Sequence, residues 1–230
     1  MKIIAHRCGT DMFPELTIAA ARHSLNLGAD YVELDIRHTA DGSLVICHDG
    51  SARRLFGVDK KIKDISLTEF LSFRHIEDVS FPSHSMEHFL AAGLKRNLYH
   101  IKEGGRYLTD IIDFCERYDA LADSVLGLQS VEDIEIVKSY RPNVKTLAFM
   151  PDPEHIEDFA RAGANYIRLW ENWLTAQNTD LVKKTGKELW IMSGSFIAPG
   201  YTDYANIRLW KEMGADAVLV NEFEKIKKLC

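Results

Sequence analysis

Three stretches of this chain follow one pattern: Leu27-Gly28-Ala29-Asp30-Tyr31-Val32-Glu33-Leu34-Asp35, Ala162-Gly163-Ala164-Asn165-Tyr166-Ile167-Arg168-Leu169-Trp170 and Met213-Gly214-Ala215-Asp216-Ala217-Val218-Leu219-Val220-Asn221. In each, a glycine suited to positive φ closes a helical stretch, and the chain turns at once into an apolar run. One connection used three times in 230 residues constrains the fold more than any bulk property does. It predicts a regular succession of helix and strand, with parallel strands covered by helices.

The rest of the chain keeps to that alternation. Strand-length apolar runs fall at 2–6, 31–36, 44–48, 97–102, 124–128, 144–150, 164–170, 188–192 and 217–220. Helical patterns fall at 15–27, 86–94, 107–118, 131–140, 153–162, 178–184 and 204–213. Pro14 and Pro153 stand where a first helical position is expected. With 44–48 taken as an extension beside the second strand, one strand falls at each of eight positions. The expected architecture is an α/β fold, a (β/α)8 barrel, in preference to a doubly wound sheet, for which no GxGxxG or Walker loop is present. Residues 50–85 break the alternation. They carry Arg53, Arg54, Phe56 and a short amphipathic piece at 66–73, and read as an insertion over the barrel mouth between the second and third barrel strands. No Pro/Gly/Ser-rich linker flanks them, so residues 1–230 are expected to form one domain.

In such a barrel the C-terminal ends of the strands face the active site. His6-Arg7 ends the first run, and Glu33 and Asp35, two apart, project to one side of the second. His48-Asp49 ends the extension, and His100 and Lys102 share the two-residue relation on the third barrel strand. Buried strands do not hold such groups unless they pair or bind a metal. One reading is an ion-pair network, with Glu33 and Asp35 bridged by Arg7 and Lys102. The other is metal-assisted attack on a phosphate ester. Four polar strand ends in succession favour the second. A phosphodiester resists attack because its anionic oxygens repel a nucleophile, and a metal with an arginine neutralises that charge in the transition state. Imidazoles, with an unperturbed pKa of about 6.5, suit the proton transfers. The sequence leaves open which histidine is acid and which is base.

A net charge of −6 and the shortness of the basic clusters (Lys60-Lys61-Ile62-Lys63; Lys225, Lys227, Lys228) argue against nucleic-acid or anionic-membrane partners. No apolar stretch approaches a membrane span, so no stable membrane association is expected. Cys8, Cys47, Cys115 and Cys230 lack metal spacing and fit reduced thiols. Cys8 and Cys47, beside cluster histidines, are read as buried filler in preference to reactive groups. The run after Met1 has no charged-then-apolar leader. A cytoplasmic location is the expectation; oligomeric state is left open.

The chain resembles the glycerophosphodiester phosphodiesterase family, whose signature is His-Arg, then Glu-X-Asp, then His. It reads Ala5-His6-Arg7, Phe13-Pro14-Glu15-Leu16-Thr17, the Gly28-to-Asp35 stretch, Thr39-Ala40-Asp41-Gly42 and Val45-Ile46-Cys47-His48-Asp49. The match in order and spacing covers residues 2–49 and thins beyond. The resemblance implies a TIM barrel and hydrolysis of small-molecule glycerophosphodiesters to glycerol phosphate and an alcohol. It implies that Glu33 and Asp35 hold one divalent cation, Mg²⁺ or Ca²⁺. It further implies that His6 and His48 act as general acid and base, that Arg7 clamps the phosphate, and that Lys102 matches the lysine of the family's Glu-X-Lys.

His100 stands where that family places a third acidic metal ligand, which shifts the expected metal toward Mn²⁺ or Zn²⁺. The alternative is that His100 only hydrogen-bonds Glu33. Strand alternation turns Glu103 away, and Glu15 is a further candidate ligand from its loop. Leu16 replaces a usual asparagine; Trp190-Ile191-Met192-Ser193 and Val220-Asn221-Glu222-Phe223 depart from the usual late-strand motifs. Trp170 and Trp190 are taken as substrate contacts beside Arg7 and Lys102. Trp173, Phe149 and Phe196 either join them in an aromatic wall or pack in the core. Such a wall would admit a choline-like cation. Two rival readings remain: a phospholipase D-like lyase that forms a cyclic phosphate, and a catalytically weak barrel that binds phosphate ligands.

Overall fold

The computed structural model describes residues 1–195 and 197–229. All nine expected runs form strands: β1 Lys2–Ala5, β2 Tyr31–His38, β3 Leu44–Ile46, β4 Asn97–Ile101, β5 Val125–Leu128, β6 Lys145–Ala148, β7 Tyr166–Trp170, β8 Glu188–Met192 and β9 Ala217–Val220. They pair in the order β1-β9-β8-β7-β6-β5-β4-β2-β3, and β1 also pairs β2, which closes an eight-stranded parallel barrel. β3 lies outside the circuit, antiparallel to β2 through Ile36 and Ile46. The helices are α1 Ile18–Asn26, α2 Arg53–Phe56, α3 Leu67–Leu71, α4 Met86–Ala91, α5 Leu108–Arg117, α6 Val131–Tyr140, α7 Ile156–Arg161, α8 Ala176–Lys184, α9 Tyr204–Glu212 and α10 Phe223–Leu229.

The repeated connection has a physical basis. Gly28, Gly163 and Gly214 take φ of 93°, 103° and 90°, the left-handed region that ends a helix without a Cβ penalty. The alanine after each is buried. The Asx residue that follows then pins the neighbouring strand. Asp30 Oδ2 accepts from Ile3 N at 2.8 Å, Asn165 Oδ1 from Thr146 N at 2.9 Å, and Asp216 Oδ2 from Leu189 N at 2.8 Å. The backbone N–H of each Asx donates back to the same partner's carbonyl, at 3.0, 3.0 and 2.8 Å. One tripeptide thus turns the chain, packs it and sets strand register.

Both faces of the strands are buried. Outward residues pack under the helices in a large apolar layer. Inward residues, among them Ile4, Leu98, Val125, Leu147 and Leu219, fill the barrel. Trp190 belongs to this filling, and the expected substrate contact is corrected: its ring is fully buried, stacks on Tyr166 with centroids 4.5 Å apart, and donates to Glu188 Oε2 at 3.2 Å. Tyr166 and Glu188 begin their strands, so Trp190 plugs the end of the barrel opposite the mouth.

Two local expectations also change. Pro14 does not start a helix. Thr17 caps α1 by accepting from Ala20 N, and Leu16, at φ 59°, keeps residues 14–16 in a loop. Pro153 does sit at the first position of a short 3-10 turn leading into α7. The closing helix α10, unforeseen, buries Phe223 and Ile226. Its first amides donate to the Asp11 carboxylate, a cap supplied from a remote loop.

Candidate active site

At the C-terminal ends of the strands lies a cavity of about 580 Å³, lined in part by His6, Arg7, His48, Arg54, His100, Lys102, Phe149, Arg168 and Trp170. Glu33 and Asp35 lie beneath it, almost fully buried, on the inward face of β2. The structure therefore gathers the sequence-predicted His6, Arg7, Glu33, Asp35, His48, His100, Lys102 and Trp170, leaves Trp190 at the far end, and does not describe Phe196.

Backbone strain positions the first of these. Arg7 and Cys8 take φ of 48° and 72°, a costly conformation for residues with a Cβ. The turn aims the Arg7 N–H at Glu33 Oε2, 2.8 Å away. The Arg7 guanidinium does not bridge to Glu33, as an ion-pair network would require; it reaches Glu15 at 3.2 Å. Glu15, held also by Arg54 at 2.6 Å, stays outside the buried carboxylate cluster.

Glu33, Asp35 and His100 place one ligand atom each within 4.8 Å of one another. His100 Nδ1 is 3.2 Å from Asp35 Oδ1 and 3.6 Å from Glu33 Oε1, closer to the aspartate than a bond to Glu33 alone would put it. Lys102 Nζ lies 2.7 Å from Asp35 Oδ1 and 2.9 Å from His100 Nδ1. Burial, together with the Asp35 charge, pushes Glu33 well above the usual carboxylate range. For Asp35 burial acts the same way but is outweighed by Lys102 and His100, which hold it well below that range. One lysine thus supports one carboxylate, and the second lacks a counter-charge. Glu33 Oε1 and Asp35 Oδ2 are buried and accept no hydrogen bond among the described residues. Buried acceptors left this way cost free energy unless something else occupies them. Burial and the adjacent Lys102 hold His100 down to about 3, so its ring is neutral and has a lone pair to offer. This donor set fits a divalent cation.

The other two cavity histidines are held differently. His6 Nδ1 is 2.5 Å from Asn221 Oδ1, and Asn221 Nδ2 donates to Pro199 O at 2.8 Å. With the amide nitrogen so committed, Asn221 presents its oxygen, and His6 must donate through Nδ1. That leaves a lone pair on Nε2. Burial, then the Arg7 charge, holds His6 down to about 3. His48 Nδ1 is 2.7 Å from the Asp49 carboxylate, whose other oxygen accepts from Arg54 Nε at 2.5 Å. The Arg37 guanidinium fixes the His48 carbonyl at 3.0 and 2.8 Å and pairs with Glu103 away from the cavity, as alternation requires. The chain His48–Asp49–Arg54–Glu15–Arg7 rings the mouth.

Three residues here escape a reading of strand-end clusters: Asn221, Arg54 from the 50–85 segment, and Arg168. Arg168 is 4% exposed and lies against the faces of Phe149, Trp170 and Trp173, with its Cζ 5.0, 4.7 and 5.7 Å from their ring centroids. Phe149 also stacks on His100 at 3.9 Å, in space that a side chain at Gly127 would fill. The aromatic faces offered to a cationic head group are thus occupied by the protein's own cation. The repeat carried the missing signal. Arg168 aligns with Glu33, and Asn221 with Asp35.

The chain is 43% identical over 67 residues to a glycerophosphodiester phosphodiesterase of Caldanaerobacter subterraneus, covering 29% of this chain and 28% of that protein. It is 38% identical over 80 residues to a lysophospholipase D of Homo sapiens, covering 35% and 26%. The chain thus matches under a third of the length of these relatives. Its fold resembles a glycerophosphodiester phosphodiesterase of Agrobacterium tumefaciens, with TM-score 0.80, 20% identity and 99% of each chain covered. It also resembles an Oleispira antarctica phosphodiesterase solved with sn-glycerol-3-phosphate, with TM-score 0.83, 17% identity and 99% and 96% covered. The profile described as "Glycerophosphoryl diester phosphodiesterase family" matches residues 6–148, more than half the chain and all of the buried cluster, and the chain belongs to that family.

Proposed function

We propose that this protein is a metal-dependent phosphodiesterase that converts glycerophosphodiesters to glycerol phosphate and an alcohol. The observation that carries the reading is the pair of buried, unpartnered carboxylate oxygens of Glu33 and Asp35, directly below a cavity bearing three histidines and four cations. Glu33, Asp35 and His100 would hold the cation. Bound there, it supplies positive charge against a phosphate oxygen. The imidazole in the ligand set favours Mn²⁺ or Zn²⁺ relative to Mg²⁺ or Ca²⁺.

The side chains divide the remaining work. Arg7 and Lys102 bind the phosphate and offset the charge that builds on it. His6, a neutral ring with its Nε2 lone pair free, is the general base and takes a proton from the attacking hydroxyl. His48 donates Nδ1–H to the Asp49 carboxylate, which fixes the ring's orientation, and is the general acid that protonates the leaving alkoxide through Nε2. The attacking hydroxyl is the neighbouring one on glycerol, through a cyclic phosphate that water then opens.

Phosphorus NMR of a glycerophosphodiester panel with Mg²⁺, Ca²⁺, Mn²⁺ or Zn²⁺ tests this. Glycerol phosphate should accumulate, with any cyclic phosphate transient, and His48→Ala should stop it. A persistent cyclic phosphate would make the protein a lyase. No turnover with any metal, unchanged by His48→Ala, would leave a ligand-binding barrel.

A further inference from the structure

The cations of the cavity are not alike. Arg7 is matched by Glu15, Arg54 by Glu15 and Asp49, and Lys102 by Asp35. Arg168 has no carboxylate within ion-pair range among the described residues, and its Nε and Nη1 are buried without a hydrogen-bond partner. An unpaired guanidinium at this depth is costly. The three aromatic rings do not remove that cost. They attract the cation through its faces, whereas its N–H groups lie in the guanidinium plane and need acceptors at its edge. Arg168 lines the cavity.

Its position separates Arg168 from the reacting phosphate. In the closed barrel order, β7 stands opposite β2, so Arg168 faces the Glu33–Asp35 pair across the mouth. Arg7, Lys102 and the cation site all belong to the β1, β2 and β4 side. Phe149 touches both His100 and Arg168, so the two sides are about one ring apart. A diester whose phosphate sits over the carboxylate pair has its leaving alcohol within reach of Arg168.

We propose that Arg168 is the receptor for a negatively charged group, a carboxylate or phosphate monoester, on the leaving alcohol, and that the enzyme thereby selects anionic head groups. The planar fork of arginine matches either group through paired N–H bonds, and the flanking rings hold it rigid. The same charge repels a quaternary ammonium. This specificity rests on the phosphodiesterase reading above, but the receptor itself can be measured without turnover.

The test uses four glycerol phosphodiesters on one two-carbon arm, ending in a carboxylate (3-hydroxypropanoate), a phosphate monoester (phosphoethanol), a hydroxyl (ethylene glycol) or a trimethylammonium (choline). The wild-type kcat/KM should be about 10-fold or more higher for one or both anionic ends than for the hydroxyl, in keeping with a charge-assisted hydrogen bond. The choline ester should be slowest. In Arg168→Met the anionic-to-hydroxyl ratio should fall toward one, and Arg168→Lys should restore part of it. A wild-type ratio near one, a preference for choline, or an Arg168→Met variant that loses rate on every ester while keeping the ratio would overturn the proposal. If the wild type cleaves none of the four, the hydrolytic reading fails, and calorimetric binding of the same esters decides the receptor. Tighter binding of an anionic ester that Arg168→Met levels upholds it, and equal affinities overturn it.

Discussion

The side chain of Asn221 is held from two directions: its amide nitrogen by Pro199 and its oxygen by His6. Replacement by Leu keeps the volume but frees the imidazole to take either tautomer. We expect Asn221→Leu to lower kcat by about 10-fold with little change in KM, and His48→Ala to lower it by about 10²–10⁴-fold. Steady-state kinetics would check both, and a KM effect alone for Asn221→Leu would move that residue from positioning the base to binding substrate. His100→Glu should shift metal preference toward Mg²⁺ or Ca²⁺ in a titration; an unchanged preference would mean that His100 is not a ligand. His6, His48 and Lys102 were legible in the sequence because each follows directly on an apolar strand run, and Glu33 and Asp35 because two acidic residues two apart inside such a run share one face. Arg54 was not, because the segment that carries it has no periodicity to place it, and its partners Glu15 and Asp49 lie elsewhere in the chain.

The Gly-Ala-Asx connection makes its own demand on stability. Asn165 Oδ1 accepts from Thr146 N and from Lys138 Nζ, at 2.9 and 2.7 Å, so Asn165→Ala strands a strand-end amide and leaves the half-buried Lys138 ammonium with the Val144 carbonyl alone. A loss of about 1–3 kcal/mol is expected. It would be read as a lower urea midpoint at unchanged slope, and a change below about 0.5 kcal/mol would show that the connection needs only its glycine. Strands and most helices could be read from the alternation because apolar period and turn residues are local signals. The start of α1 and the existence of α10 were harder. The first is delayed by the left-handed Leu16, a conformation that the usual asparagine adopts more readily, and the second is capped by Asp11 from across the molecule.

For the molecule as a whole, the barrel circuit brings residues from β1, β2, β4, β7 and the β9 end to one mouth, and the cation site joins two of these strands. A cation bound only by the native state stabilises it through mass action, by about 2.7 kcal/mol at a hundredfold excess over Kd. For a chain of this size that corresponds to a rise in Tm of about 5–10 °C. Differential scanning calorimetry should show the rise with Mn²⁺ and its loss in Glu33→Gln. No described helix is long and apolar enough to cross a membrane.

The most direct test of the central claim, that the buried Glu33–Asp35–His100 cluster holds a cation on which turnover depends, is to strip the protein with a chelator and titrate Mn²⁺ back while following phosphodiester cleavage. Activity should vanish on stripping and return in full near one equivalent per chain. Activity that survives the chelator would contradict the claim.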